Sequence, residues 1–181
     1  MEVNARNFFT AWKEVVNDQR KYLKKIWEEN INFTHQIIGN ENSVLNNVAQ
    51  KLNLICYEKD YYCLDAIFYT KENLVPNLRD DWFWFRDIRV AFEHENNFNS
   101  GLFKEVSHLL ITSCHLRVLV TYPNGASIEA KELEYLHLII KGSNKSMEIS
   151  QNESFLLIFG YKNGFEWIGY IFKEEGWIKI E

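Results

Sequence analysis

Two glutamates one residue apart, Glu93 and Glu95, end an apolar and β-branched run and enter an Asn-rich turn. Side chains alternate between the two faces of a strand, so we expect both carboxylates on one face. Two acids on one face repel each other unless a cation, a proton or a basic partner neutralises them. Asp65 also ends an apolar approach, residues 61–64, and we expect it to join them around a divalent metal.

The same acids have plainer interpretations. Carboxylates at the end of a strand are most often solvated, and Asp65 could instead cap a turn or pair with Arg89. His94 stands between the two glutamates, so alternation places it on the opposite face of the strand. A hydrogen-bonded structural histidine is favoured there over a metal ligand.

The composition is that of one soluble globular domain. The chain has 181 residues, of which 46% are hydrophobic and 25% are charged, which is enough for a single core. The net charge of −5 does not favour a polyanion, so contact with nucleic acid would need a local basic patch. We expect no membrane partner, because no uncharged run reaches the length of about 18 residues that a bilayer requires.

The cysteines also bear on the compartment. Their number is odd, their neighbours are apolar and their spacing fits no zinc site, which predicts reduced thiols in a cytoplasmic protein. They are Cys56, Cys63 and Cys114.

Several elements must position the acids. Apolar residues spaced by three and four predict helices, and continuous or alternating apolar runs predict strands. The predicted helices cover 5–29, 32–38, 41–52, 102–114 and 127–141, the last one capped by Ser127. The predicted strands cover 54–57, 61–70, 82–93, 116–122, 155–159, 165–172 and 177–180, the last three forming an antiparallel meander. Polar residues predict loops at 71–81 and 142–152 and turns at 96–101 and 123–125.

The middle of the chain therefore has the order helix, strand, strand, strand, helix, strand, with Asp65 in the second strand and Glu93-x-Glu95 ending the third. This order and placement resembles the PD-(D/E)XK superfamily, the restriction endonuclease-like fold of many DNA-cleaving enzymes, over residues 41–122. The resemblance implies an α/β (α+β) fold with a mixed sheet flanked by helices. Within one domain, 1–181, residues 1–40 would be a helical extension and 123–181 a helix followed by antiparallel strands.

The resemblance also assigns roles. Asp65 matches the first Asp of the motif, Glu93 matches its (D/E), and Glu95 stands where lysine is usual. Asp65 and Glu93 would hold Mg²⁺ or Mn²⁺, which takes oxygen ligands and makes bound water nucleophilic. Glu95 would hold a second ion or take a proton from the attacking water. Lys104 could supply the missing positive charge, and Glu41 stands where some members place an extra acid.

Three functional hypotheses follow. The first is a metal-dependent phosphodiester hydrolase that acts on nucleic acid and could form a homodimer. The second is a catalytically silent relative that serves as a protein-binding or regulatory module, favoured by the acidic charge and by Glu95 in place of lysine. The third is an interaction module whose acids face solvent, with Asp65 more than about 8 Å from both glutamates.

Other groups have less specific patterns. His108 and His115, with Cys114, could suggest a second metal site, but packing or surface roles are favoured. The aromatic run 82–85 is expected to be buried on both faces, with an oligomer contact as the second choice. Four cations in the first predicted helix could meet phosphates, although acids nearby favour a solvated face. They are Arg20, Lys21, Lys24 and Lys25.

Overall fold

A mixed sheet of seven strands runs through the described part of the chain, and the strands lie in the sheet in their order along the sequence. The structure is a computed structural model that describes residues 3–76, 79, 83–100, 102–123 and 126–181, without the side chains of residues 126 and 127. The strands are β1 (Ile55–Tyr57), β2 (Ala66–Tyr69), β3 (Val90–Glu95), β4 (Leu116–Thr121), β5 (Phe155–Tyr161), β6 (Glu166–Lys173) and β7 (Gly176–Ile180).

Seven α-helices flank this sheet within the described residues. Four precede the first strand, one joins β3 to β4, and two join β4 to β5. They are α1 (Ala5–Asp18), α2 (Arg20–Ile26), α3 (Asn30–Ile37), α4 (Val44–Lys51), α5 (Phe103–Ile111), α6 (Ala126–Lys141) and α7 (Ser146–Asn152). Single 3₁₀ turns lie at Lys71–Asn73 and Phe98–Ser100.

The strand directions follow from these connections. β3, β4 and β5 are parallel to one another, because a helical crossover returns the chain to the same end of the sheet. All the other neighbours are antiparallel, including the meander of β5, β6 and β7 that the sequence predicts. The protein is thus a mixed α/β protein, as expected.

The sheet separates two apolar cores. On one face, Trp12 of α1 and Leu45 of α4 pack with Val118 of β4. On the other face, Val106 and Leu109 of α5 pack with residues of β3, β4 and β5. The alternation of side chains along each strand therefore decides which core a residue enters.

The predicted helix 5–29 is wrong in its continuity, because it divides at Gln19. The N–H group of Gln19 bonds back to the carbonyl groups of Val15 and Asn17, which closes α1. The side-chain amide of Gln19 donates to the carbonyl oxygen of Asn42 at 3.2 Å, just before α4.

The predicted second strand, 61–70, is also shorter than expected. The backbones of Tyr61 and Leu64 exchange two hydrogen bonds across a tight turn, in which Tyr62 has a left-handed φ of 60°. β2 therefore begins only at Ala66. Asp65 precedes this strand instead of lying within it.

The predicted third strand, 82–93, begins later, at Val90, and extends to Glu95. Phe83 and Trp84 are exposed, so their predicted burial on both faces is wrong, whereas Phe85 is buried. Trp82 lies outside the described residues.

Two smaller differences concern α6 and α7. The predicted loop 142–152 contains α7, and α6 begins one residue before the predicted cap at Ser127. Parts of the predicted loop 71–81 and of the turns at 96–101 and 123–125 lie outside the described residues. Among the described helices, none combines the length and the apolar character needed to cross a membrane.

Candidate carboxylate site

Asp65 and Glu93 face each other at one edge of the sheet. The antiparallel register pairs Ala66 with Phe92, so the next opposing positions are Asp65 and Glu93. The Oδ2 atom of Asp65 accepts a hydrogen bond of 2.7 Å from the backbone N–H of His94, which fixes the carboxylate against β3. A hydrogen bond also joins the carboxyl groups of Asp65 and Glu93. Asp65 and Glu93 are therefore neighbours across β2 and β3, while their predicted role as metal ligands stays a prediction.

Burial governs the protonation of this pair. The side chain of Glu93 is only 4% exposed, and burial together with the charge of Asp65 raises its pKa to about 9. Burial also raises the pKa of Asp65, although the His94 N–H and the bond to Glu93 act in the opposite direction. At neutral pH the Glu93 carboxyl is therefore protonated and donates to the Asp65 carboxylate.

His108 is the third member of the site, and the sequence interpretation missed it. Its Nδ1 atom lies 2.9 Å from Oε1 of Glu93, on the inner side of α5. Lys104 lies four residues earlier on the same helix, which places the two side chains on neighbouring positions of one face. The positive charge of Lys104 lowers the pKa of Glu93, whereas the charge of Glu105 raises it.

Glu95 does not join the pair. Its Oε1 atom accepts a hydrogen bond of 2.6 Å from the backbone N–H of Asn97, so the carboxylate orders the turn after β3. Within the described residues, no group of three or more His, Cys, Asp and Glu side chains is arranged to hold a metal ion. Glu41 is exposed ahead of α4, and its charge is not among those that shift the pKa of Asp65 or Glu93.

His94 lies on the opposite face, as its position predicts. Its Nε2 atom is 2.7 Å from the hydroxyl oxygen of Tyr122, and Phe33 of α3 packs nearby. Burial lowers the pKa of His94 to about 3, so the ring is neutral at neutral pH. His94 is therefore a structural histidine, and its backbone N–H donates to Asp65 in the candidate site.

A cavity of about 460 Å³ leads from solvent to Asp65. It lies between α3 and the segment that carries Glu58 and Asp60, with Ile31 and Ile38 forming its apolar side. A ligand can therefore reach the Asp65 side of the carboxyl pair although Glu93 itself is buried.

Two other predicted partners lie elsewhere. The Nε atom of Arg89 is 3.4 Å from Asp87 and not paired with Asp65, so that alternative is wrong. The Nε2 atom of His115 is 2.9 Å from the other oxygen of Asp87, in a separate polar cavity. His108 and His115 therefore serve different carboxylates.

The adjoining carboxyls suit a hard divalent cation in part. Mg²⁺ is commonly bound through one or two carboxylates and keeps several waters, and Asp65 and Glu93 supply that number of oxygen ligands. Holding the buried carboxyl group of Glu93 next to the partly buried Asp65 raises the pKa of Glu93, and a bound cation would relieve this repulsion.

The chain was compared with known protein families, with curated proteins and with solved structures, and none of the three comparisons gave a match.

Proposed function

We propose that the protein is a metal-dependent phosphodiester hydrolase with a restriction endonuclease-like core, in which Asp65 and Glu93 hold Mg²⁺ or Mn²⁺. The observation that carries this proposal is the pairing of buried Glu93 with partly buried Asp65, with the pKa of Glu93 raised to about 9. Strongly shifted pKa values produced by a like charge in a cleft are typical of functional sites.

The arrangement of elements supports the same proposal. α4, β1, β2, β3, α5 and β4 follow one another along the chain, the order on which the resemblance rests. β1, β2 and β3 are antiparallel neighbours, and β4 then lies parallel to β3. Asp65 directly precedes β2 and Glu93 lies in β3, so the two acids lie close to the positions that the resemblance assigns, although Asp65 is just outside its strand.

Each residue then has a definite task. When bound, the metal ion would supply a nucleophilic water and stabilise charge on the scissile phosphate. Glu93 must release its proton to become a ligand, and His108 lies within hydrogen-bond distance to accept it. Lys104 supplies positive charge beside the pair. In the superfamily motif this charge usually comes from a lysine at the position that Glu95 occupies here. Glu95 orders the turn after β3 and is not retained as a ligand.

Titration calorimetry with Mn²⁺ and Mg²⁺ tests the proposal. The native protein should bind one of these ions and release a proton, more tightly at pH 8 than at pH 6, because Glu93 must be deprotonated. Asp65→Asn and Glu93→Gln should abolish binding, while the exposed control Glu175→Gln should not change it. Absence of binding in the native protein, or unchanged binding in Glu93→Gln, would contradict the metal site.

Cleavage is a separate measurement. Labelled DNA and RNA oligonucleotides, single-stranded and duplex, should be cut in the presence of Mn²⁺ or Mg²⁺ and remain intact with Asp65→Asn. One observation favours a silent relative as the second candidate: the position that usually carries lysine holds Glu95, whose carboxylate is engaged in a turn. Metal binding without cleavage of any of these substrates would support that candidate.

A further inference from the structure

The exposed side of α2 carries only positive charge. The helix, Arg20–Ile26, contains no acid and buries only Leu23 and Ile26 against the protein. Its four cations are exposed to solvent. They are Arg20, Lys21, Lys24 and Lys25, here called the α2 basic face.

Two of the acids that flank this helix have other partners. Glu28 forms an ion pair with Lys162, and Glu29 accepts a hydrogen bond of 2.6 Å from the side chain of Asn32. The described residues provide no ion-pair partner for Lys21, Lys24 or Lys25. Two of the three acidic neighbours that the sequence suggested as a counterweight are thus engaged elsewhere, and the third, Asp18, is exposed ahead of the helix.

The spacing of the cations makes this arrangement costly for the isolated protein. Arg20 and Lys24 are four residues apart, as are Lys21 and Lys25, and like charges at this helical spacing repel each other. A bound polyanion would relieve this repulsion, and each phosphate would release a condensed counterion.

α2 lies along the edge of the sheet that holds the carboxyl pair. The guanidinium of Arg20 donates to the carbonyl oxygen of Gly164 at 3.0 Å, in the turn after β5. Trp27, at the end of α2, contacts Tyr122 just beyond β4. The next helix, α3, continues to the end of β3, where Thr34 accepts a hydrogen bond from Asn96. The same Thr34 lines the cavity that reaches Asp65.

We propose that the α2 basic face binds the sugar-phosphate backbone of a nucleic acid and leads the strand along α3 to the cavity at Asp65. This inference rests on the proposed function, since it names the surface that holds the substrate of that site. The net charge of −5 over the whole chain makes a local basic face necessary for such contact.

Fluorescence anisotropy with labelled 20-nucleotide strands and 20-base-pair duplexes, in EDTA, measures this binding without metal or cleavage. The logarithm of the binding constant should fall linearly with the logarithm of salt concentration. In Lys24→Gln/Lys25→Gln the slope should become shallower by about 1.8 for duplex or about 1.4 for single strands, if each lysine contacts one phosphate. The duplex value corresponds to a loss of about 60-fold in affinity at 0.1 M salt.

Lys71→Gln/Lys131→Gln is the matched control, because both lysines are exposed and the net charge changes equally. An unchanged slope in Lys24→Gln/Lys25→Gln, or an equal change in the control, would overturn the inference. So would binding to vesicles of anionic phospholipid without binding to nucleic acid.

The two proposals fail separately. If calorimetry detects Mn²⁺ binding but EDTA-treated protein binds no nucleic acid, only the role of the α2 basic face is refuted. If nucleic acid binds through this face but the native protein binds no divalent metal, only the hydrolytic site is refuted.

Discussion

Replacing Glu93 by glutamine should remove most of the loss of stability that the native protein suffers between pH 6.5 and pH 9. In the folded protein the pKa of Glu93 is raised from 4.5 to about 9, whereas the unfolded chain ionises this carboxyl normally. A raised pKa means that the stabilisation is complete below the unfolded value and is lost as the pH rises through the folded value. Glutamine has the same shape and does not titrate.

The size of the effect follows from the shift. Each pKa unit corresponds to about 1.4 kcal/mol, so about 2.5 pH units give a loss of roughly 3 kcal/mol. The window begins at pH 6.5 because His94 acts in the opposite sense below it. Burial lowers the pKa of His94 from 6.5 to about 3, so its contribution is present above 6.5 and is lost as the pH falls.

Urea unfolding followed by tryptophan fluorescence at pH 6.5, 7.5, 8.5 and 9 measures this difference. The native protein should lose about 3 kcal/mol more than Glu93→Gln across the series. The control Glu95→Gln makes the same change in a side chain whose oxygen accepts a hydrogen bond in a turn, which glutamine can also do. This variant should follow the native curve. Parallel curves for the native protein and Glu93→Gln, or a flat curve for Glu95→Gln, would refute the protonated pair.

Three further outcomes are expected. Mn²⁺ at about 100 times its dissociation constant should stabilise the native protein by about 2.7 kcal/mol at pH 8 and leave Glu93→Gln unchanged in thermal unfolding. Tyr122→Phe should lower the unfolding free energy by about 1–3 kcal/mol, because buried His94 loses its partner; the exposed control Tyr22→Phe should not. Gly160→Ala should destabilise by about 1–3 kcal/mol in urea, because the new Cβ would lie 2.8 Å from the ring of Tyr122. A neutral Gly160→Ala would show that the ring moves aside without cost.

The pairing of Asp65 with Glu93 could be predicted from sequence because it depends on local patterns. Apolar runs mark β2 and β3, and the period of two puts Glu93 and His94 on opposite faces. The meander after α7 was equally visible, since its turns hold Gly164 and Gly176, both with positive φ.

The remaining features depend on contacts between distant segments. His108 joins the site only because α5 packs across β3, and its distance from Glu93 along the chain carries no such signal. The turn at Tyr61–Leu64 and the break at Gln19 likewise arise from backbone and side-chain hydrogen bonds that no hydrophobic period encodes. Glu95 follows the alternation along β3, but its carboxylate accepts a hydrogen bond from the backbone N–H of Asn97 in the next turn.

The different surroundings of Glu93 and His94 have a consequence for how the sheet assembles. A shift of β3 by one residue against its neighbours would exchange the two faces of the strand. Glu93 would then face the aromatic side that holds Phe33 and Tyr122, while His94 would lose its hydroxyl partner. Both outcomes leave a buried polar group unsatisfied, at a cost of about 1–3 kcal/mol each. Glu93 and His94 therefore also specify the correct register of β3 during folding.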